Sequence, residues 1–130
     1  AFLNGAPIAV SKAETIGNAL VATGFPYDFT GRLERILERL AIMLPKSQGM
    51  RRMGAAAVDM AYVACGRVDM FYEEGLKPWD FAAGLLLVEE AGGRVTNMRG
   101  EPLRFGDVLL ASNGLVHNEA VELLGPTDVL

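Results

Sequence analysis

The chain has 130 residues, a formal net charge of −4 and 51% hydrophobic residues. A domain of this length buries only about two-thirds of the surface of its unfolded chain, so the high apolar content predicts an exposed apolar face that another domain or subunit covers. No apolar run approaches the roughly 18 residues that span a bilayer, and the lack of a basic run beyond Arg51-Arg52 argues against a nucleic-acid groove.

The first part of the chain predicts a hairpin, a strand and a loop. Phe2-Leu3 and the run 7–10 flank Asn4-Gly5, a typical two-residue hairpin turn. The apolar run 18–23 predicts a buried strand, and residues 23–26 predict the loop that follows it. Ligands commonly bind at such loops in α/β folds.

Residues 30–44 predict an amphipathic helix. Leucine, isoleucine and methionine recur at helical spacing, and Pro45 is expected to end the helix. The opposite side carries four charged residues, which we expect to form an ordinary solvated face: Glu34, Arg35, Glu38 and Arg39.

A short strand over 49–53, an apolar helix over 55–65 and a strand over 68–73 are predicted next. The helix begins with small residues after Gly54, which lets its backbone approach a ligand or a neighbouring helix closely. Tight helix packing is the simpler explanation of that feature. Asp59 lies within this apolar helix and needs a partner that the sequence does not identify.

The chain is organised around residues 77–93. Pro78 suits the first turn of a helix and Gly92-Gly93 suits its end, so we predict one largely buried helix over 78–91. Asp80 in its first turn gains only about 0.3–1 kcal/mol from the helix dipole, too little to offset deep burial of a charge. Asp80 is therefore either a half-exposed cap, the commoner role, or the ligand of a metal ion.

Strands over 94–97 and 108–112 and a helix near 115–124 complete the prediction. Because strands and helices alternate without an internal repeat, the predicted class is α/β in a single domain over 1–130.

The single cysteine and the single histidine give little support to thiol, Cys/His metal or Ser-His-Asp chemistry. Cys65 lies in an apolar helical segment without a histidine near it, so we predict a buried structural thiol. His117 is expected to have a surface or capping role. One cysteine excludes an internal disulfide and fits a reducing compartment, and no signal peptide is recognisable, so we predict a cytoplasmic location.

Three features place polar or backbone groups at the ends of regular elements: the helix start at 54–57, Glu73 at the end of a strand, and Asp80. A carboxylate suits Mg²⁺, helix amides suit phosphate or hydroxyl groups, and Glu73 can accept hydrogen bonds from a polyol. The combination favours a phosphate or sugar-phosphate site.

These residues carry a resemblance to a known family. The segment 79–93, read as Trp-Asp-x-Ala-Ala-Gly followed by Leu-Leu-Val-x-x-Ala-Gly-Gly, resembles the C-terminal signature of the inositol monophosphatase family, whose members are Mg²⁺-dependent, lithium-sensitive sugar-phosphate phosphatases. Segments 52–69, 71–73, 2–5 and 23–26 are similar to the family as well. The resemblance covers essentially all 130 residues.

The resemblance implies a layered sheet-and-helix fold, a homodimer, and a role for each matched site residue. Asp80 would ligate Mg²⁺ and contact the substrate hydroxyl next to the phosphate during metal-assisted hydrolysis. Glu73 would hold a second hydroxyl of a sugar or polyol phosphate. Four further residues would line the substrate site: Gly54, Ala55, Ala56 and Ala57.

The sequence departs from the family in one respect. It has neither the N-terminal glutamate nor the Asp-Pro-x-Asp-Gly-Thr loop that supplies most metal ligands in the family. The resemblance therefore implies that this chain is the C-terminal half alone. It would supply one Mg²⁺ ligand, whereas the ion needs about three or four. The chain would then be inactive without its N-terminal half. A start at alanine fits a fragment.

Two alternatives remain open. One is a noncatalytic interaction or regulatory module that acts through the apolar face. The other keeps the phosphatase but changes its substrate to fructose 1,6-bisphosphate or a 3′-phosphonucleotide.

Overall fold

A computed structural model describes residues 1–128, within which the chain forms seven strands and four helices. No helix in this range is long and apolar enough to cross a membrane. The strands are β1 (Phe2–Leu3), β2 (Ala6–Pro7), β3 (Leu20–Thr23), β4 (Gly49–Arg51), β5 (Met70–Glu73), β6 (Arg94–Asn97) and β7 (Leu109–Ser112). The helices are α1 (Leu33–Lys46), α2 (Ala56–Ala64), α3 (Pro78–Glu90) and α4 (His117–Leu124), with short 3₁₀ turns at Ile16–Asn18 and Gly125–Thr127.

Five strands form one mixed sheet in the order β4-β3-β5-β7-β6, and β1 and β2 form the predicted hairpin. Strands β4, β3 and β5 are parallel, whereas β7 is antiparallel to both β5 and β6. Because Glu73 pairs with Leu109, the carboxyl ends of the parallel strands and the beginning of β7 meet at one edge of the sheet. Loops at that edge are therefore neighbours in space.

The sheet lies between two pairs of helices. Val21, Met70 and Leu110 pack in one core with residues of α1 and α4. The alternate strand residues Ala22 and Phe71 pack in a second core with residues of α2 and α3. This period of two puts a helix layer on each face, which confirms the predicted layered α/β fold.

The predicted solvated position of Arg39 is wrong. Helix α1 continues one residue past Pro45, where the sequence predicts its end. Within this helix, Arg39 is only 2% exposed. Its guanidinium contacts Glu74 Oε1 at 3.2 Å and donates to Thr127 Oγ1 at 2.9 Å. A buried arginine is tolerated because a carboxylate and a hydroxyl remote in sequence take up its charge and donors.

The predicted surface role of His117 is also wrong, because its side chain is fully buried. Its two ring nitrogens lie 2.7 Å from Thr96 Oγ1 and 2.8 Å from Ser112 Oγ. Burial, with a smaller effect of the Arg94 charge, lowers the pKa of His117 to about 4.

Cys65 is partly rather than fully buried, with Sγ 3.7 Å from the Tyr62 carbonyl.

Helix α3 is less buried than predicted. Only Gly84 and Val88 are enclosed, although both α2 and α3 are apolar on nearly every side, a pattern typical of helices covered all round. Three apolar side chains of these helices are exposed, Val58 by 41%, Trp79 by 80% and Leu86 by 58%. We call these exposed side chains of α2 and α3 the apolar helix face, and they are candidates for the exposed face that composition predicts.

Candidate active site

A cavity of about 480 Å³ opens among the loops that follow the parallel strands. The loop after β3, the residues after β4, the β5–α3 connection and the loop before β7 all contribute to its wall. Most of the predicted site residues line this cavity, as do residues 24–26 of the predicted ligand loop. The site residues are Gly54, Ala55, Ala56, Glu73 and Asp80. Ala57 does not line it but is exposed on α2.

The start of α2 leaves backbone donors at the cavity. Gly54 has a φ of +89°, which side-chain-bearing residues rarely adopt, and Ala55 is extended before the helix begins at Ala56. Since Ala55 offers no side-chain acceptor, no side chain within residues 1–128 caps the first N–H groups of α2. These donors suit a phosphate or hydroxyl oxygen.

Asp80 caps the first turn of α3, which is one of the two roles predicted for it. Its Oδ2 accepts a hydrogen bond from the Lys77 N–H at 2.9 Å, and its own N–H donates to the Lys77 carbonyl at 2.8 Å. The side chain is half-exposed at the cavity. The cap engages one oxygen only, so the geometry leaves Oδ1 for a cation.

Glu73 ends β5 directly against Gly24. A Cβ on Gly24 would lie 2.6 Å from Glu73 Cδ, so a side chain at position 24 would displace the carboxyl group. Burial, followed by the charge of Asp59, raises the pKa of Glu73 to about 7, while the Arg52 charge opposes this rise. Near neutral pH the carboxyl therefore exists in both protonation states and can donate to or accept from a substrate hydroxyl.

Asp59, for which the sequence named no partner, has none in the described part of the chain. It is fully buried, and neither carboxyl oxygen has a hydrogen bond within residues 1–128. Burial raises its pKa to about 6, with Arg52 acting in the opposite direction. Its influence on Glu73 was missed because only the packing of α2 against the sheet brings the two residues near each other.

The described residues do not form a complete metal centre. Residues 1–128 contain no group of three or more His, Cys, Asp or Glu side chains that could hold an ion. Asp80 is partly exposed, and its Oδ1 is not used by the cap. This hard oxygen suits Mg²⁺ as a single ligand. By its donor chemistry the chain fits one part of a site for a hard cation.

Asp59→Asn is expected to stabilise the fold at neutral pH and to have little effect in acid. The folded-state pKa of about 6 lies above the ordinary 3.8, so the native state binds more protons between these values and wild-type stability falls as pH rises through them. Above about pH 6 the wild-type free energy of unfolding is lower by about 3 kcal/mol than it is in acid. Asparagine has the same shape but cannot ionise, and its own unpaired amide reduces the gain to about 1–3 kcal/mol.

Urea unfolding of the wild-type chain and Asp59→Asn at about pH 4 and about pH 7.5 measures this difference. The exposed Asp28→Asn is the matched control and should change stability little. An equal effect of Asp59→Asn at both pH values would contradict an ionised, buried Asp59.

Comparisons with known proteins agree with the fold. The chain matches the model of the inositol monophosphatase family over residues 1–126. It is 44% identical over 127 residues to the chloroplastic phosphatase IMPL1 of Arabidopsis thaliana, covering 97% of this chain and 34% of the relative. It is 46% identical over 114 residues to the protein named Putative Nus factor SuhB of Neisseria meningitidis serogroup B, covering 86% and 44%.

The solved structure of the inositol monophosphatase from Anabaena (Nostoc) sp. PCC 7120 is similar to this chain with a TM-score of 0.90 and 41% identity, covering 95% of this chain and 49% of that one. The chain thus spans between about a third and a half of the length of these relatives.

Proposed function

The chain belongs to the inositol monophosphatase family, a family of metal-dependent phosphatases, and from this premise we propose that it forms the C-terminal half of a Mg²⁺-dependent phosphatase. The substrate is inositol monophosphate or a related sugar phosphate. The half is inactive by itself, and it works with an amino-terminal half as a cytoplasmic homodimer.

The observation that supports this proposal most is the convergence of three residues that are distant in sequence. Gly54 at the start of α2, Glu73 at the end of β5 and Asp80 in the first turn of α3 line one cavity. This set combines backbone donors, a polyol acceptor and a hard anionic oxygen, which is the chemistry that a sugar phosphate requires.

Each residue has one task in the proposed reaction. Asp80 Oδ1 would hold Mg²⁺ together with carboxylates from the amino-terminal half, while the hydrogen bond from the Lys77 N–H fixes the carboxylate's orientation. When bound, the ion supplies activation of a water and stabilisation of the leaving oxygen. The first N–H groups of α2 and the Glu73 carboxyl orient the sugar by binding its oxygens.

A fusion protein tests the proposal. Its amino-terminal portion comes from the Anabaena inositol monophosphatase, and this chain replaces the matching carboxyl-terminal portion. With Mg²⁺ and inositol 1-phosphate, the fusion protein should release phosphate and this chain alone should not, with the intact Anabaena protein as the positive control. An inactive fusion protein, or equal activity of this chain alone, would overturn the proposal.

The second candidate is a noncatalytic interaction module. It is favoured by the apolar helix face and by the name of the Neisseria relative, Putative Nus factor SuhB. Sedimentation of this chain distinguishes the candidates in part, because a dilute monomer without any tendency to associate would count against an interaction module.

A further inference from the structure

We propose that Arg39 is a positioning residue for the candidate active site. Its buried guanidinium holds the connection between β5 and α3, residues 74–77, in place between α1 and the 3₁₀ turn at Gly125–Thr127. This inference rests on the proposed function, because the connection separates Glu73, which binds a substrate hydroxyl in the proposed reaction, from Asp80, which holds Mg²⁺.

The connection between β5 and α3 sets the spacing of these two site residues. Strand β5 ends at Glu73 and helix α3 begins at Pro78, so residues 74–77 alone join the two elements. No loop hydrogen bond within residues 1–128 involves the backbone of residues 74–76. The position of this segment therefore depends on the contacts of its side chains.

Glu74 is the side chain that anchors the connection. Its Oε1 accepts a hydrogen bond from Arg39 Nη1 at 3.2 Å, and the side chain is only 11% exposed. Glu74 lines the large cavity and also a second cavity of about 10 Å³, which Arg39 lines from the side of α1. Since Arg39 does not line the large cavity, it acts on the site through Glu74 and not by touching the substrate.

The Arg39 guanidinium is itself fixed by the end of the chain. Its Nε donates to Thr127 Oγ1 at 2.9 Å and its Nη2 donates to the Thr127 carbonyl at 3.4 Å. Thr127 Oγ1 in turn donates to the Leu124 carbonyl at 2.6 Å, at the end of α4. Because a guanidinium is a planar fork with donors on several edges, it can bond Glu74 and Thr127 at the same time.

Stability alone is a poor explanation for this buried ion pair. Removing two charges from water offsets much of their attraction, and an apolar pair of similar volume is often equally stable. What the ion pair adds is direction, because it fixes Glu74 at one point relative to α1 and Thr127. A displacement of about 1 Å at a catalytic site can lower the rate about a hundredfold, so the main effect of this contact is expected in catalysis.

The fusion protein, assayed with Mg²⁺ and inositol 1-phosphate, tests the proposal. The variants are Arg39→Met, Glu74→Gln, their combination and Arg39→Lys. The combination is the decisive variant, because it leaves no unpaired buried charge and should fold even if a single substitution does not. His117→Ala is the matched control, since it also removes a buried side chain that bonds two hydroxyls, but lies outside the cavity.

The combined variant should lower kcat about tenfold or more, while its urea unfolding midpoint stays close to that of the wild type. The two substitutions should not add, because they break the same contact. Arg39→Lys keeps a charge that can reach Glu74 but lacks the fork, so its kcat should fall less than that of Arg39→Met. His117→Ala should lose stability and keep its kcat. A wild-type kcat in the combined variant, or an equal loss of kcat in His117→Ala, would overturn the proposal.

Nitrogen-15 relaxation of this chain alone keeps this test separate from that of the proposed function, because it needs neither metal nor substrate. The backbone order parameters of residues 74–77 should fall from about 0.85 in the wild type to below about 0.6 in the combined variant, while those of residues 94–97 in β6 stay unchanged. If the fusion protein hydrolyses nothing, the proposed function fails, but this result would still support the positioning role of Arg39. Unchanged values in residues 74–77, or an equal fall in β6, would contradict it.

Discussion

Replacing Asp80 by asparagine in the fusion protein is expected to lower kcat about a hundredfold or more while leaving the fold intact. Asparagine keeps the shape of aspartate, and its side-chain oxygen can still accept the Lys77 N–H bond that caps α3. It removes the anionic oxygen that a hard cation prefers, and changes around metal ligands already cost about 10–100-fold. The loss is therefore expected in catalysis and not in stability.

Steady-state phosphate release and thermal unfolding of the same samples measure the two quantities. Glu119→Gln is the matched control, because Glu119 also accepts one backbone bond, from the Ile16 N–H at 2.9 Å, but lies outside the cavity. The control should retain full turnover. Unchanged turnover in Asp80→Asn would remove Asp80 from the mechanism, whereas a large fall in its unfolding temperature would assign Asp80 a structural role.

The second large effect is expected at the apolar helix face. Val58→Glu combined with Leu86→Glu should change the stability of this chain by no more than about 0.5 kcal/mol, as is usual for exposed positions. The same pair should abolish phosphate release by the fusion protein, since the amino-terminal half would have to bury two unpaired charges at a cost of several kcal/mol. The measurements are urea unfolding of this chain and phosphate release by the fusion protein.

Leu44→Glu combined with Leu115→Glu provides the control. These leucines are exposed by 57% and 55%, similar to the target residues, but lie on α1 and in the segment before α4. The control pair should leave phosphate release intact. Full activity of the Val58→Glu and Leu86→Glu pair would mean that the apolar helix face is not where the amino-terminal half docks.

Local patterns were sufficient for most of the fold. The strand over 94–97 has the predicted bounds, and the helix predicted over 78–91 ends one residue earlier. These elements depend on turn residues and on apolar spacing, which are properties of neighbouring residues. Strand order and the antiparallel direction of β7 depend on contacts between distant segments, so no local pattern indicated them.

The errors have the same origin. Helical spacing put Arg39 on the charged side of α1, and only the fold brings Glu74 and Thr127 to it. The exposed residues of α3 show the same limit. An apolar helix sequence predicts that other residues pack over the helix, but it does not identify the segment or domain that does so.

The candidate site divides in a similar way. Glu73 and Asp80 were singled out because they lie at the ends of regular elements, the resemblance to a family signature gave each a role, and both line the cavity. Arg52 opens the matched segment 52–69, whereas Arg32 belongs to no matched segment, and only the three-dimensional arrangement brings both to the cavity. Within residues 1–128 Asp59 has no hydrogen-bond partner, and only the positions of the surrounding atoms could show this.

The most direct test of the account is an anomalous-diffraction experiment on crystals of the fusion protein grown with Mn²⁺ as a substitute for Mg²⁺. The account predicts a Mn²⁺ peak about 2 Å from a carboxylate oxygen of Asp80, a distance typical of hard cations bound to oxygen, with the other ligands supplied by the amino-terminal half. Mn²⁺ bound elsewhere, with Asp80 contacting only the Lys77 N–H, would contradict it.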